Sequence, residues 1–126
     1  MLIVKHRPWL EIAEFYRSLS DKHPAFYPMQ KLVEQISVSK YANSLYASTS
    51  MHTLLIAQTA EFDSEKEVLR VSLDVERGGL VLDFQETPST LPKYRHWVRQ
   101  CLPEEAFSRL EGFLTLKKWF VEYKLS

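Results

Sequence analysis

Residues 68–85 alternate apolar and polar side chains on both sides of Arg77-Gly78-Gly79, and this alternation commits the stretch to a β-hairpin with one buried face. Leu69, Val71, Leu73 and Val75 alternate with Arg70, Ser72, Asp74 and Glu76. Leu80, Leu82 and Phe84 alternate with Val81, Asp83 and Gln85. The two apolar sets share a face only if the loop between the strands holds an even number of residues. A slip of one would turn one strand's apolar set to water. With Gly78 and Gly79 at the tip, the expected pairs are Val75 with Leu82 and Leu73 with Phe84 on the inner face. On the outer face, Asp74 then lies opposite Asp83, and Glu76 opposite Val81.

Like charges directly across a strand pair are mildly destabilising, so an Asp74/Asp83 pair calls for something other than folding to explain it. Two close carboxylates can share a proton or hold a divalent cation. Neither strand supplies the neighbouring His or Asn that a metal shell needs, so the pair is read as a surface facing solvent or a partner. The charge distribution agrees. Residues 61–86 carry eight acids and three bases, a net of −5, while residues 1–60 sum to +2 and residues 93–124 to +3. An acidic middle within a neutral chain argues against general nucleic-acid binding and for a cationic protein partner.

At 126 residues with 45% hydrophobic content, the chain is long enough for one domain with a real core. Its one cysteine, Cys101, has no internal disulfide partner. Residues 1–4 are too short an apolar run for a secretory leader, and no stretch has the roughly 20 apolar residues of a membrane span. A cytoplasmic protein without membrane association is expected.

Along the chain, Pro8 opens a stripe of Trp9, Ile12, Ala13, Tyr16 and Leu19, which predicts a helix over 8–19. Residues 20–24, ending in Pro24, break it. Pro28 opens a second stripe of Met29, Leu32, Val33 and Ile36, ending near Ser39. Residues 44–58 read as two strands joined near 50–52, and residues 61–67 as an acidic connector. Residues 85–92 read as a loop. Tyr94, Trp97, Val98 and Cys101 fall at i, i+3, i+4 and i+7, which predicts a short helix with Arg95 and Arg99 on its outer side. A last helix begins at Pro103, with Glu104 and Glu105 in its first turn and Lys117 and Lys118 in its last. Its buried stripe is Phe107, Leu110, Phe113, Leu114 and Phe120. The sum is an α+β fold: a four-stranded, mostly antiparallel sheet with helices packed on one face, in the order ααββββαα.

No reaction motif is present. His6, His23, His52 and His96 have no zinc spacing, and Gly78-Gly79 is a turn with no phosphate-binding pattern around it. No cofactor or metal is expected. His52 sits among Ser48, Thr49, Ser50 and Thr53, where turn hydrogen bonding explains it better than catalysis. Cys101 falls on an apolar stripe and reads as a small core residue. The basic and aromatic residues of 93–99 resemble a single-strand-binding pattern, but a helix would turn Tyr94 and Trp97 inward.

The leading expectation is a small protein-binding module that contacts a basic surface through Asp74, Glu76, Asp83, Arg95 and Arg99. Its narrower form is an immunity or antitoxin-like neutraliser of a basic enzyme. One alternative is a small hydrolase or ligand-binding enzyme using His52 and the Asp74/Asp83 pair. Another is a nucleic-acid accessory protein using Arg95, Arg99, Lys117 and Lys118.

Overall fold

A computed structural model describes residues 3–63, 68–85 and 96–120. The chain is α+β, and the described residues form three α-helices and a five-stranded antiparallel sheet, with a separate two-stranded ribbon. Strand β1 (Ile3–Lys5) leads into helix α1 (Trp9–Lys22). The Pro8 carbonyl accepts the first helical bonds, from the N–H groups of Glu11 (3.0 Å) and Ile12 (3.1 Å). Trp9, Ile12, Tyr16 and Ser20 form the buried stripe. The helix runs past the expected stop because Ser20 faces inward and donates its Oγ–H to Gln30 Oε1 (2.8 Å) on the next helix. It ends where His23, ahead of Pro24, turns extended at φ −134°. A single 3-10 turn, Pro24–Phe26, leads into α2 (Tyr27–Ser37), which buries Met29, Leu32, Val33 and Ile36.

Strands β2 (Tyr46–Ser50) and β3 (Thr53–Ala57) form a hairpin closed by Ser50 opposite Thr53. Its two turn residues are Met51 and His52. Met51 takes the left-handed conformation, φ 56°, without being a glycine. Strand β4 (Glu61–Asp63) then leaves the sheet to pair antiparallel with β1. The acidic connector thus contains a strand at its start, and residues 64–67 lie outside the described residues. Strands β5 (Leu69–Asp74), β6 (Gly79–Gln85) and β7 (His96–Cys101) complete the main sheet, in the order β2-β3-β5-β6-β7. Helix α3 (Ala106–Lys117) closes the described fold after a 3-10 turn at Pro103–Glu105. The predicted loop lies mostly in residues 86–95, outside the described residues.

Three expectations need correction. The hairpin register differs by four in summed position: Leu73 faces Leu80, Val71 faces Leu82, Leu69 faces Phe84, and Asp74 faces Gly79. The loop is Val75-Glu76-Arg77-Gly78, an even number as the alternation demands. It is four residues long because the Asp74 carbonyl accepts from the Gly78 N–H (2.8 Å) and its Oδ1 accepts from the Arg77 N–H (3.3 Å), while Gly78 takes φ 76°. Asp83 therefore lies opposite Arg70, not Asp74. Glu76 and Val75 sit in the turn.

The second correction concerns residues 96–101, which form a strand and not a helix. Trp97 and Cys101 face inward in either conformation, so the apolar pattern of so short a segment does not choose between them. The open edge of β6 does, because its backbone groups need partners. The third correction follows: among the described residues the main sheet has five strands, and one α-helix succeeds it.

The three helices pack on one face. There Ile56, Leu69, Phe84, Val71, Leu82 and Leu80 meet Ile12, Tyr16, Leu32, Ile36 and Phe113 in one continuous core. The Phe84 ring sits edge-on to Phe113 (5.1 Å between centroids) and Trp119 (5.6 Å). On the second face a smaller buried group, Leu55, Ala57 and Val68, packs with Tyr46. His6, just past β1, sets its ring edge-on to Tyr46 (5.2 Å). Among the described residues, no helix is long and apolar enough to cross a membrane.

Candidate functional site: the hairpin tip and second sheet face

The register brings four of the five expected partner-binding residues to the β5-β6-β7 side of the sheet. Asp74 closes the turn, and Glu76 lies at its tip. Asp83 occupies the second face between Arg70 and Val98, and Arg99 lies on edge strand β7. Arg95 lies outside the described residues. Asp74 and Asp83 are not a pair: Asp83 lies four positions along β6 from Asp74's partner Gly79, about 13 Å at strand rise. Opposite charges across β5 and β6, Arg70 with Asp83, replace the like-charge pair that the shorter loop implied. Of the described acids of 61–86, Glu61 and Asp63 lie on β4 beside β1, Asp83 lies opposite Arg70 near the start of β5, and Asp74 and Glu76 lie at the far end of β5.

The tip is held in place. Besides the two bonds to Asp74, the Arg77 guanidinium donates to Gln100 Oε1 on β7 and ties the turn to the edge strand. Val75, expected in the core, is 85% exposed at this ordered turn. It is flanked by two carboxylates, those of Asp74 and Glu76. Beyond it on the second face lie Ser72, Val81 and Asp83, all half-buried, and Val98. The exposed Val75 and the outward Val98 have no signal in the sequence, because turn length and the helix-to-strand change each move a residue off the face that its period assigns.

Arg99 is on the helix-covered face by register, opposite Leu82, but at the rim. Its guanidinium lies over the Trp97 ring (4.9 Å), and one Nη1–H donates to the Val98 carbonyl (2.8 Å). Of the other cations considered, Lys117 Nζ lies over the Phe84 ring (5.1 Å), and Lys118 ends α3 in a left-handed conformation. Arg7, which the sequence did not single out, joins α1 to β2. Its Nε donates to Glu11 Oε1 (3.0 Å) and its Nη1 to Thr49 Oγ1 (3.0 Å), with the guanidinium over Phe15 (5.5 Å).

His52 stands apart from the acidic turn. Its ring packs edge-on to Phe26 (5.1 Å) and near Phe15, and its carbonyl accepts the Tyr16 hydroxyl (3.0 Å). These are contacts with the helical layer, while Asp83 lies on the opposite face of the sheet. Among the described residues, no group of three or more His, Cys, Asp or Glu is placed to hold a metal ion.

Cys101 is buried, and its thiol donates to the Leu80 carbonyl (3.8 Å). Burial and then the nearby Glu105 carboxylate push the thiol pKa up, against a smaller lowering by Arg109. A raised pKa keeps the sulfur protonated and a poor nucleophile near neutrality. Its effect on stability follows by linkage. The folded state loses nothing below the unfolded thiol's pKa, about 8.5, and loses stability as pH rises through and above it. Burial of the Tyr16 hydroxyl acts with the same sign at still higher pH. The urea midpoint of the wild-type protein should therefore fall more steeply between pH 7.5 and 9.5 than that of Cys101→Ala. Parallel slopes would place the thiol in water.

No protein-family model, curated protein or solved structure matches the chain.

Proposed function

We propose that this chain is a protein-binding module whose β5–β6 turn and adjoining second sheet face dock on a basic surface of a partner protein. The observation that carries this reading is the turn itself: an exposed Val75 between Asp74 and Glu76, on a loop held by Asp74 and by the Arg77–Gln100 bond. An ordered projection gives up little conformational entropy on binding, and its apolar centre with flanking carboxylates complements a cationic recess. Such a tip suits a protein that blocks a basic active site, as an immunity or antitoxin-like neutraliser does. The fold tolerates this use, since neither Val75 nor Glu76 belongs to the core.

The test begins with recovery of the native partner from its host by pull-down. Val75→Ser combined with Glu76→Lys should slow association about tenfold and reduce its salt dependence, because surface charge acts mainly on encounter. Folding stability should change by no more than about 0.5 kcal/mol per substitution, both being at an exposed turn. A reversal at Asp83 is a poorer probe, because it sets a lysine opposite Arg70. Unchanged association kinetics in the double variant would remove the tip from the interface.

A further inference from the structure

We propose that two copies of this chain pair their β7 strands antiparallel, about a two-fold axis at Val98, to join two five-stranded sheets into one of ten strands. This goes beyond the docking of a basic partner at the turn and does not depend on it.

The two edges of the sheet differ. The β2 edge is occupied, since the Arg7 N–H donates to the Ala47 carbonyl (2.7 Å) in an antiparallel bridge. At the other edge, β7, no strand among the described residues pairs with the outer side, and Val98, Arg99 and Gln100 are exposed. An edge of unpaired N–H and C=O groups is a template for another strand.

Backbone alternation identifies the groups that point outward. The Asp74 carbonyl is turned toward the loop that joins β5 to β6. From there, hydrogen-bonded and non-hydrogen-bonded pairs alternate across the sheet. Arg70, Ser72 and Asp74 point toward β6, and Leu80, Leu82 and Phe84 point toward β7 and their partners Cys101, Arg99 and Trp97. His96, Val98 and Gln100 are left to present their N–H and C=O groups to the outside. Two observations agree: the Val98 carbonyl is met by the Arg99 side chain, and on the far edge the same alternation turns Ala47 outward, toward Arg7.

Side chains then select the register. With the axis at Val98, each Val98 faces its copy on the second face, and the backbone of position 96 pairs with that of position 100 twice. On the other face Trp97 lies opposite Arg99 twice. Within one chain the Arg99 guanidinium already stacks on Trp97, and the same pair across the axis gives each ring a second cation. Every outward N–H and C=O of 96, 98 and 100 finds a partner in this register. An axis at Arg99 would set two arginines against each other, and like charges directly opposite are unfavourable. An axis at Trp97 would set the two rings against each other and take Arg99 away from them, so the Val98 axis alone among the three gives each ring a second cation.

Sedimentation equilibrium on the full chain over a concentration series should show a species of twice 14.8 kDa. Val98→Lys, which places two ammonium groups across the axis, should raise the dimer dissociation constant at least about tenfold. Val98→Pro should dissociate it too without disturbing the fold, since the N–H that it removes points outward. Position-specific crosslinking tests the register: under mild oxidation Val98→Cys should link two chains, whereas Gln100→Cys, whose two copies lie about 13 Å apart, should not. A chain that stays monomeric at the highest concentration overturns the proposal, and so does a dimer indifferent to Val98→Lys and Val98→Pro. Crosslinking at Gln100 in preference to Val98 likewise rules out this axis.

Discussion

Phe84→Ala should destabilise the protein by about 3–5 kcal/mol, as large truncations of a buried aromatic do. Phe84 is 1% exposed and sits at the meeting of sheet and C-terminal helix, edge-on to both Phe113 and Trp119, with Lys117 above its ring. Phe113 and Trp119 are themselves in contact (5.0 Å), so removing Phe84 opens a cavity between side chains that already brace one another. The collapse that would relieve such a cavity is therefore limited. Against a total stability of about 5–15 kcal/mol for a domain, this loss is a large fraction. In equilibrium urea unfolding the midpoint should drop while the slope stays constant. Val75→Ala is the contrast that tests the register, and it should stay within about 0.5 kcal/mol because Val75 is in the turn. Comparable losses for the two variants would restore the pairing of Val75 with Leu82 and contradict the four-residue loop.

Gly79→Ala should cost about 1–3 kcal/mol, the range for overpacking a site that cannot give. A Cβ at Gly79 would lie 2.2 Å from the backbone carbonyl oxygen of Cys101, at the end of β7. The clash is with main chain, so relief requires moving β7 relative to β6, not rotating a side chain. Gly78 has the opposite problem. It has open space where a Cβ would go but a φ of 76°, so Gly78→Ala pays only the left-handed penalty of about 1 kcal/mol. The two alanine variants thus separate crowding from conformation. Melting curves should place Gly79→Ala below Gly78→Ala. If Gly79→Ala is neutral, β7 does not pack beside the start of β6, and the strand assignment of 96–101 fails with it.

Local periodicity by itself determined α1 and α2, the last helix and the parity of the β5–β6 loop, because in each a single face must be apolar over enough residues that only one period fits. The β2–β3 pair was read from its β-branched and small residues, since residues 54–57 are buried in succession and carry no alternation. Trp9, Ile12 and Tyr16 cannot be read as a strand, nor Leu69, Val71 and Leu73 as a helix. The same alternation gave Phe84 its inward place, because any even loop leaves it there. The end of α1 was less legible, since Ser20 looks like a breaker until Gln30 of α2 is beside it to accept its hydrogen bond.

The candidate site was legible only as residue types. Asp74, Glu76, Asp83 and Arg99 lie on β5, β6, β7 or the turn between the first two, with Asp83 and Arg99 on opposite faces, and their relations were decided elsewhere. Parity cannot distinguish a short even loop from one of four residues. That choice belongs to Asp74, whose carbonyl and carboxylate capture Gly78 and Arg77, and it turns an expected Asp74/Asp83 pair into an Arg70/Asp83 one. Residues 96–101 place Trp97 and Cys101 inward as helix or as strand, so the segment's own pattern is silent, and the unpaired backbone of β6 makes it a strand. The reach of β4 to β1 depends on two short segments more than fifty residues apart, each too brief to carry a period. Side-chain period is a property of neighbours in sequence, whereas loop length, edge pairing and the partner of a charged group depend on backbone hydrogen bonds that must be satisfied across the whole sheet, and only the tertiary structure supplies them.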